Sequence, residues 1–237
     1  MTKAKASPAH ILVTGFEPFE HQTINPSWEV ARALDGWQCN GLTVIARQLP
    51  CVFHEAISDL QQAIDDIAPT IVICLGQAGG RPDISPERVA INVDDARIPD
   101  NAGQQPIDHV IIAGAPDAYF STLPIKAIVR QMNDAGIAAS VSNTAGTFVC
   151  NHVFFGLMHI IGQKNRPSRA AKKRAPVRGG FIHLPYLSTQ ITASTTTLGI
   201  ASMPSMSLDA MIKGIQTAIQ TTLDIKTDLV ETGGQLH

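Results

Sequence analysis

The sequence predicts an α/β protein: a single three-layer α/β/α domain around a largely parallel, twisted sheet that leaves room for a mixed edge. Three observations predict it. Apolar residues make up 44% of the 237 residues and aromatics only 5%, so Ala, Ile and Val carry the core, the balance of a layered α/β protein. Runs of strand character alternate with runs of helical period along the chain. Thr70–Leu75 (TIVICL) is a short continuous apolar run, the pattern of a strand buried on both faces.

The elements follow in order. Ile11–Thr14 reads as a short buried strand ended by Gly15. Asn25-Pro26-Ser27 is a helix start, with Asn25 as cap and Pro26 in the first turn, and the helix continues through Trp28, Ala31 and Leu34. Leu42–Leu49 alternates as a strand. In Phe53–Ile67, Ala56, Leu60, Ile64 and Ile67 recur at helical spacing. Gly76–Ser85 is rich in glycine and proline and reads as loop, Arg88–Val93 as β-like, Ile98–Pro106 as loop and His109–Ala113 as a short strand. Pro124–Ala135 is a helix stopped at Gly136. Ala138–Ser142 is a strand, Gly146–Ile161 an apolar helix and Gly179–Leu184 a strand. Ser207–Leu223 is a helix capped by Ser207 with an apolar stripe through Met211, Ile215 and Ile219. With neither an internal repeat nor a long linker, residues 1–237 read as one domain. Residues 1–9 and 228–237 are expected as tails.

Composition narrows the function. A net charge of −2 does not indicate global capture of nucleic acid. No run approaches the roughly 18 apolar residues of a spanning helix, and the first apolar run is too short for a signal segment. Cys39, Cys51, Cys74 and Cys150 show no CxxC spacing, so free thiols in a reducing cytoplasm are expected. There is no phosphate-binding GxxxxGK[ST], no dinucleotide GxGxxG after a strand, no HExxH and no GxSxG. His152 and His159 share one predicted helix, but their spacing suits hydrogen-bonded helix histidines better than a metal site. No metal or cofactor is expected.

Residues 163–178 stand apart. Seven of the 18 basic residues fall between Lys164 and Arg178, with no acid among them. A solvated surface loop is the ordinary explanation of such a run; a docking patch for a polyanion is the sharper one, without the interleaved aromatics that would support it.

The chemistry centres on Cys150. It follows a strand and a turn of small residues and sits in the first turns of the next predicted helix. Unpaired N–H groups and the helix dipole there favour an anion, which predicts a lowered thiol pKa and an oxyanion site beside it. Free cysteine is commonly just a small buried hydrophobe, and Cys39, Cys51 and Cys74 fit that description. A thiolate enzyme needs a histidine as acid–base partner and a third group to orient it. His183, at the carboxyl end of its strand, is placed for the first role. For the third, Glu87, Asp83, Asp94 and Asp95 compete, and spacing does not choose among them.

Four segments carry a resemblance to a known family. They are Thr14–Phe19 continuing to Asn25–Glu29; Gln77–Arg81 continuing to Glu87–Asn92 and Asp95–Asn101; Ser142–Asn151; and Phe181–Pro185. In this order, and over nearly the whole chain, the sequence resembles the pyroglutamyl peptidase I family, also called pyrrolidone-carboxylate peptidases, a clan of cysteine peptidases. The resemblance implies removal of an N-terminal pyroglutamyl (5-oxoproline) residue from peptides and a triad of Cys150, His183 and Glu87. It also implies the α/β/α fold, a cytoplasmic location, no cofactor and a homotetramer. It places Phe16, Phe19, Asn25, Gln77, Ile98, Phe148 and Val149 around the substrate ring. The N–H of Cys150, helped by Arg97, is then expected to hold the oxyanion.

Two features depart from the family. Glu20-His21 stands where a glycine pair is usual, and glycine alone takes φ > 0 without cost. Cys150 and His183 stand 33 residues apart, a longer gap than the family's, so 163–178 reads as an insertion that a surface loop tolerates. Two other readings compete: a nucleoside-phosphorylase-like enzyme on the same type of fold, and a non-catalytic binding protein docking through the basic loop.

Overall fold

A computed structural model describes residues 10–167, 175–194 and 203–234. In chain order the elements are β1 (His10–Phe16), α1 (Pro26–Ala33), β2 (Gln38–Cys39), β3 (Leu42–Leu49), α2 (Glu55–Ile67), β4 (Ile71–Gln77), β5 (Ser85–Pro86), β6 (Val89–Ile91), β7 (Ala118–Phe120), α3 (Ile125–Asp134), α4 (Val149–Lys164), β8 (Arg178–Leu184), β9 (Tyr186–Leu187), α5 (Ser188–Ser194), β10 (Ser205–Met206) and α6 (Leu208–Asp224). The main sheet runs β2-β3-β1-β4-β8-β5. β3, β1, β4 and β8 are parallel, and the short edges β2 and β5 are antiparallel to their neighbours. The sheet is therefore mixed only at its rims.

The alternation of side chains along the strands builds two cores. Ile11, Val13, Ile71, Ile73 and Leu75 pack with α1, α3 and α6 on one face. Leu12, Val72, Cys74 and Phe181 pack with α2 and α4 on the other. Both faces of the TIVICL strand are thus covered, giving the three layers. Each fully buried side chain such as Leu12 or Phe154 contributes about 1.5–3 kcal/mol relative to exposure.

α1 starts as expected. The Asn25 side chain accepts from the Ser27 N–H, with Pro26 in the first turn. Gly15, however, does not end its strand. A Cβ there would sit 2.3 Å from the Ser27 carbonyl oxygen, so glycine lets the start of α1 lie directly on β1. Ser207 caps α6, accepting from the Ala210 N–H.

Several short segments differ from expectation. Residues 138–142 are not a sheet strand. They run beside 84–88 through isolated bridges, Ile84 with Ala139 and Glu87 with Ser142, because that partner is itself an irregular edge. Of the expected strand 109–113, only the single bridge from Asp94 to His109 forms. Gly76 and Gln77 belong to β4 and not to the loop after it. Residues 228–234, read from the sequence as tail, lie against α3. The Asp228 carboxylate accepts from the N–H groups of Lys126 and Ala127, at the first turn of that helix. In the basic segment, Lys164 pairs with Asp65, and the Arg178 guanidinium donates to the carbonyls of Thr222 and Ile225. Residues 1–9, 168–174 and 235–237 lie outside the described residues.

Candidate active site

β1, β4 and β8 are parallel neighbours, so their carboxyl ends gather at one edge of the sheet, the usual place for a site in an open α/β fold. Phe16 ends β1, Gln77 ends β4, and His183 lies one residue before the end of β8. Cys150 is the second residue of α4. Its sulfur packs on Gly76, where a Cβ would lie 2.8 Å from Sγ and 2.7 Å from the Phe181 ring. Gly76 is paired in register with His183. Both predicted partners therefore lie beside Gly76, one across the sheet from it and the other packed on it.

His183 is bonded to an acid. Its Nδ1 lies 2.7 Å from Glu87 Oε1, with both side chains buried. Asp94, which competed for this place, instead bonds the buried His152, Nδ1 to Oδ2, at 2.8 Å, while His152 Nε2 accepts from the N–H of His54. Arg81 was missed by the sequence reading. Its guanidinium donates to the same Glu87 oxygen at 2.7 Å and to the Thr144 carbonyl at 3.0 Å. Burial by itself would push the Glu87 carboxyl up. The hydrogen bond and charge of His183, with Ser142 and Arg81, overcome it and hold the group below the ordinary carboxylate range.

The thiol behaves differently from expectation. Burial pushes the Cys150 thiol well above the ordinary cysteine range. Cys51 and Glu87 push the same way, and Arg81 only partly opposes them. The shift thus runs opposite to the one the helix start predicts, although Cys150 itself is only half-buried. The other thiols are also raised by burial, Cys51 and Cys74 to about 12.

The start of α4 is open. Its cap residue, Phe148, offers no side-chain hydrogen bond to the first turn. A polar cap is typically worth about 1 kcal/mol, and without one the first N–H groups have no partner from the helix itself. The turn is instead held from the side. Asn151 accepts from the N–H of Ile91 and donates to the carbonyls of Ile91 and Val93.

Beside the thiol lies a narrow cleft lined by Phe16, Phe19, Asn25, Cys51, Gln77, Phe148, Val149 and Cys150. Phe19 and Phe148 face each other with centroids 6.3 Å apart, and Phe53 stands edge-on behind Phe148. The slot is apolar with few polar groups, suited to a small flat ring. Six of the seven predicted substrate residues line it. Ile98 does not; it sits half-buried on a loop folded back on itself through Ala96 to Pro106 and Asp100 to Gln104. Arg97, on that loop, is exposed, and the guanidinium bonded into the site is that of Arg81. Cys51 enters the lining unannounced.

The polar side chains of the cleft are tied down. Asn25 Oδ1 accepts from the Ser27 N–H and hydroxyl, and its Nδ2 donates to the Glu17 carbonyl. Glu17 Oε1 accepts from the Cys51 N–H and from Asn101. Phe19 and Gln22 close a tight turn, and Glu20 and His21 hold φ of 52° and 61° within it. Two non-glycine residues thus occupy the left-handed region. The cost of that conformation for such residues is about 1–2 kcal/mol each.

Comparison with known proteins follows the same residues. A family model described as pyroglutamyl peptidase matches residues 9–225. Proteins called pyrrolidone-carboxylate peptidase from Cupriavidus necator and Cupriavidus pinatubonensis are 54% and 57% identical over 227 residues, which is 96% of this chain and 99% of theirs. The crystal structure of pyroglutamyl peptidase I from Bacillus amyloliquefaciens superposes with a TM-score of 0.84 at 44% identity, over 96% of this chain and 100% of that one. A mutant pyrrolidone carboxyl peptidase from Pyrococcus furiosus gives a TM-score of 0.84 at 40% identity, over 91% of this chain and 98% of that one.

Proposed function

The chain belongs to the pyroglutamyl peptidase family, and from that membership we propose how its residues divide the work of removing an N-terminal pyroglutamyl residue from a peptide. The enzyme is a hydrolase of the cysteine peptidase type. The nucleoside-phosphorylase-like and non-catalytic readings are not favoured.

The pyroglutamyl ring enters the slot between Phe19 and Phe148, with Phe16 and Val149 beneath it. The ring has no charged amine. An ordinary N-terminal residue brings an ammonium into an apolar cleft without an acid to meet it, and that desolvation excludes it. His183 Nε2 takes the proton of Cys150 as the sulfur attacks the acyl carbon. Its Nδ1–H stays bonded to Glu87, whose charge stabilises the imidazolium. The oxyanion is held by the N–H of Cys150 at the open first turn of α4, with Arg97 as a further donor once substrate is bound. The imidazolium then protonates the departing amine. In the second half, the neutral imidazole draws a proton from water, hydroxide adds to the thioester, and Cys150 leaves with that proton restored. His183 chiefly, with Ser142 and Arg81, keeps Glu87 ionised.

The observation that carries this assignment is the buried His183–Glu87 pair standing over Gly76, on which the Cys150 sulfur rests. The test is hydrolysis of a pyroglutamyl fluorophore amide beside the matching prolyl amide. Cleavage of the first alone, abolished by Cys150→Ala in a folded protein, is expected. Full activity in that variant ends the assignment. A homotetramer and a cytoplasmic location are proposed from the family resemblance. So is a single catalytic domain over residues 1–237. Among the described residues no helix is long and apolar enough to cross a membrane.

A further inference from the structure

Gln190 lies outside the cleft, on α5, and its side chain is 5% exposed. Its three hydrogen bonds are all made to the protein interior. Its Oε1 accepts from the N–H of Leu187 at 2.8 Å. Its Nε2 donates to Gln77 Oε1 at 2.9 Å and, more weakly, to the Ile24 carbonyl at 3.4 Å.

These bonds fix the orientation of two amides. A backbone N–H only donates, so the Gln190 atom facing Leu187 must be the oxygen. The opposite atom is then the nitrogen, and the Ile24 carbonyl, which only accepts, agrees. A nitrogen facing Gln77 requires an acceptor there, so Gln77 turns its oxygen towards Gln190. Its NH₂ group, two donors and no acceptor, is left for the cleft that Gln77 lines.

We infer that Gln190 is a positioning residue for specificity: through Gln77 it sets a hydrogen-bond donor, in place of an acceptor, against the ring carbonyl of the substrate. The inference rests on the reading of the cleft as the pyroglutamyl site. The lactam carbonyl accepts and never donates, so a reversed Gln77 amide meets it oxygen to oxygen. A site built to bond a polar group loses most when that bond is turned wrong.

Gln190→Glu presents only acceptors to Gln77 and drives its amide to reverse. Gln190→Met keeps the volume and releases the amide without reversing it. The measurements are steady-state kinetics on a pyroglutamyl fluorophore amide, and calorimetric binding of pyroglutamyl-alanine and its ring thiolactam in a Cys150→Ala background. Melting temperatures accompany both. For Gln190→Glu, KM and Kd are expected to rise about 10-fold or more with kcat within about threefold. The preference for lactam over thiolactam, a poorer acceptor, collapses towards one. Gln190→Met falls between. General loosening of the site weakens lactam and thiolactam alike and leaves that preference in place, and that result overturns the inference. An unchanged Kd in folded Gln190→Met and Gln190→Glu overturns it too; if the Glu variant does not fold, an unchanged Kd in Gln190→Met suffices. Failure of the parent enzyme to cleave the amide strikes at the catalytic assignment instead, while the Kd comparison still judges Gln190.

Discussion

Gly76 lies directly across from His183 in the register of β4 and β8, and the Cys150 sulfur occupies the space that a side chain at Gly76 would fill. The absence of one methyl group leaves room at Gly76 for the sulfur of the proposed nucleophile, next to the strand that carries the proposed base. Gly76→Ala is therefore expected to displace the sulfur or the Phe181 ring. It should destabilise the protein by about 1–3 kcal/mol and lower kcat by about 100-fold or more, since an ångström of misplacement is enough for that. Denaturant unfolding and steady-state kinetics on the same preparation check both. Activity near the parent's would mean that the sulfur does not need its seat on Gly76.

Glu87→Gln keeps the shape of the acid and removes its charge. The imidazolium formed during attack loses its counter-ion, and the Arg81 charge is left unpaired. Turnover is expected to fall by about 10²–10⁴-fold with KM little changed. A drop of less than fivefold would place Glu87 outside the reaction.

The same residue sets an acid limit on stability. The Glu87 carboxyl is held below its ordinary value in the folded protein. Its ionisation therefore stabilises the fold above the unfolded-state value of about 4.3, and that contribution is lost as pH falls through the lower folded value. Melting temperatures between pH 7 and pH 3 should decline more steeply for the parent than for Glu87→Gln. Parallel curves would remove this group from the acid limb.

The raised Cys150 thiol makes a prediction about the enzyme without substrate. Alkylation by iodoacetamide should keep accelerating with pH beyond about 8.5, where an unperturbed cysteine levels off. A plateau near pH 6 would show a resting thiolate, and the helix start would then have outweighed burial.

Glu20 and His21 hold positive φ in a two-residue turn. Replacing both by glycine relieves that strain but adds freedom to the unfolded chain, so the net gain is expected to be about 1 kcal/mol for the pair. In a chain of this size that is a rise of about 2–4 °C in Tm. A fall in Tm would mean that the two side chains make contacts worth more than their strain.

Much of this was legible in the sequence where one local signal sufficed. The apolar run at Ile71–Leu75 announced a central strand, and the caps Asn25 and Ser207 announced α1 and α6. Position pointed to Cys150 and His183, while the family motif was needed to choose Glu87. Two- and three-residue strands such as β5 and β7 carry no period to read. Gly15 looked like a strand end because its reason, the Ser27 carbonyl against it, lies on the next element. Arg81 stood in a family motif without a role and Gln190 gave no local signal, since one meets Glu87 and the Thr144 carbonyl and the other reaches 113 residues back to Gln77. The direction of the Cys150 shift was missed for a related cause. The helix dipole is visible in a sequence, but the depth at which a thiol is buried is a property of the packed chain.

The pairing of β4 with β8 joins residues 71–77 to residues 178–184, and this has a consequence for timing. Long-range parallel pairings form slowly, because a large loop must close before any contact rewards it. Until β8 arrives, the growing chain exposes one long side of β4 and has no histidine beside its cysteine. Docking of β8 covers that bare edge and delivers His183 in the same event. With His183 as the proposed base, a half-made copy of this peptidase is inert, and the step that ends its exposure to aggregation also begins its working life.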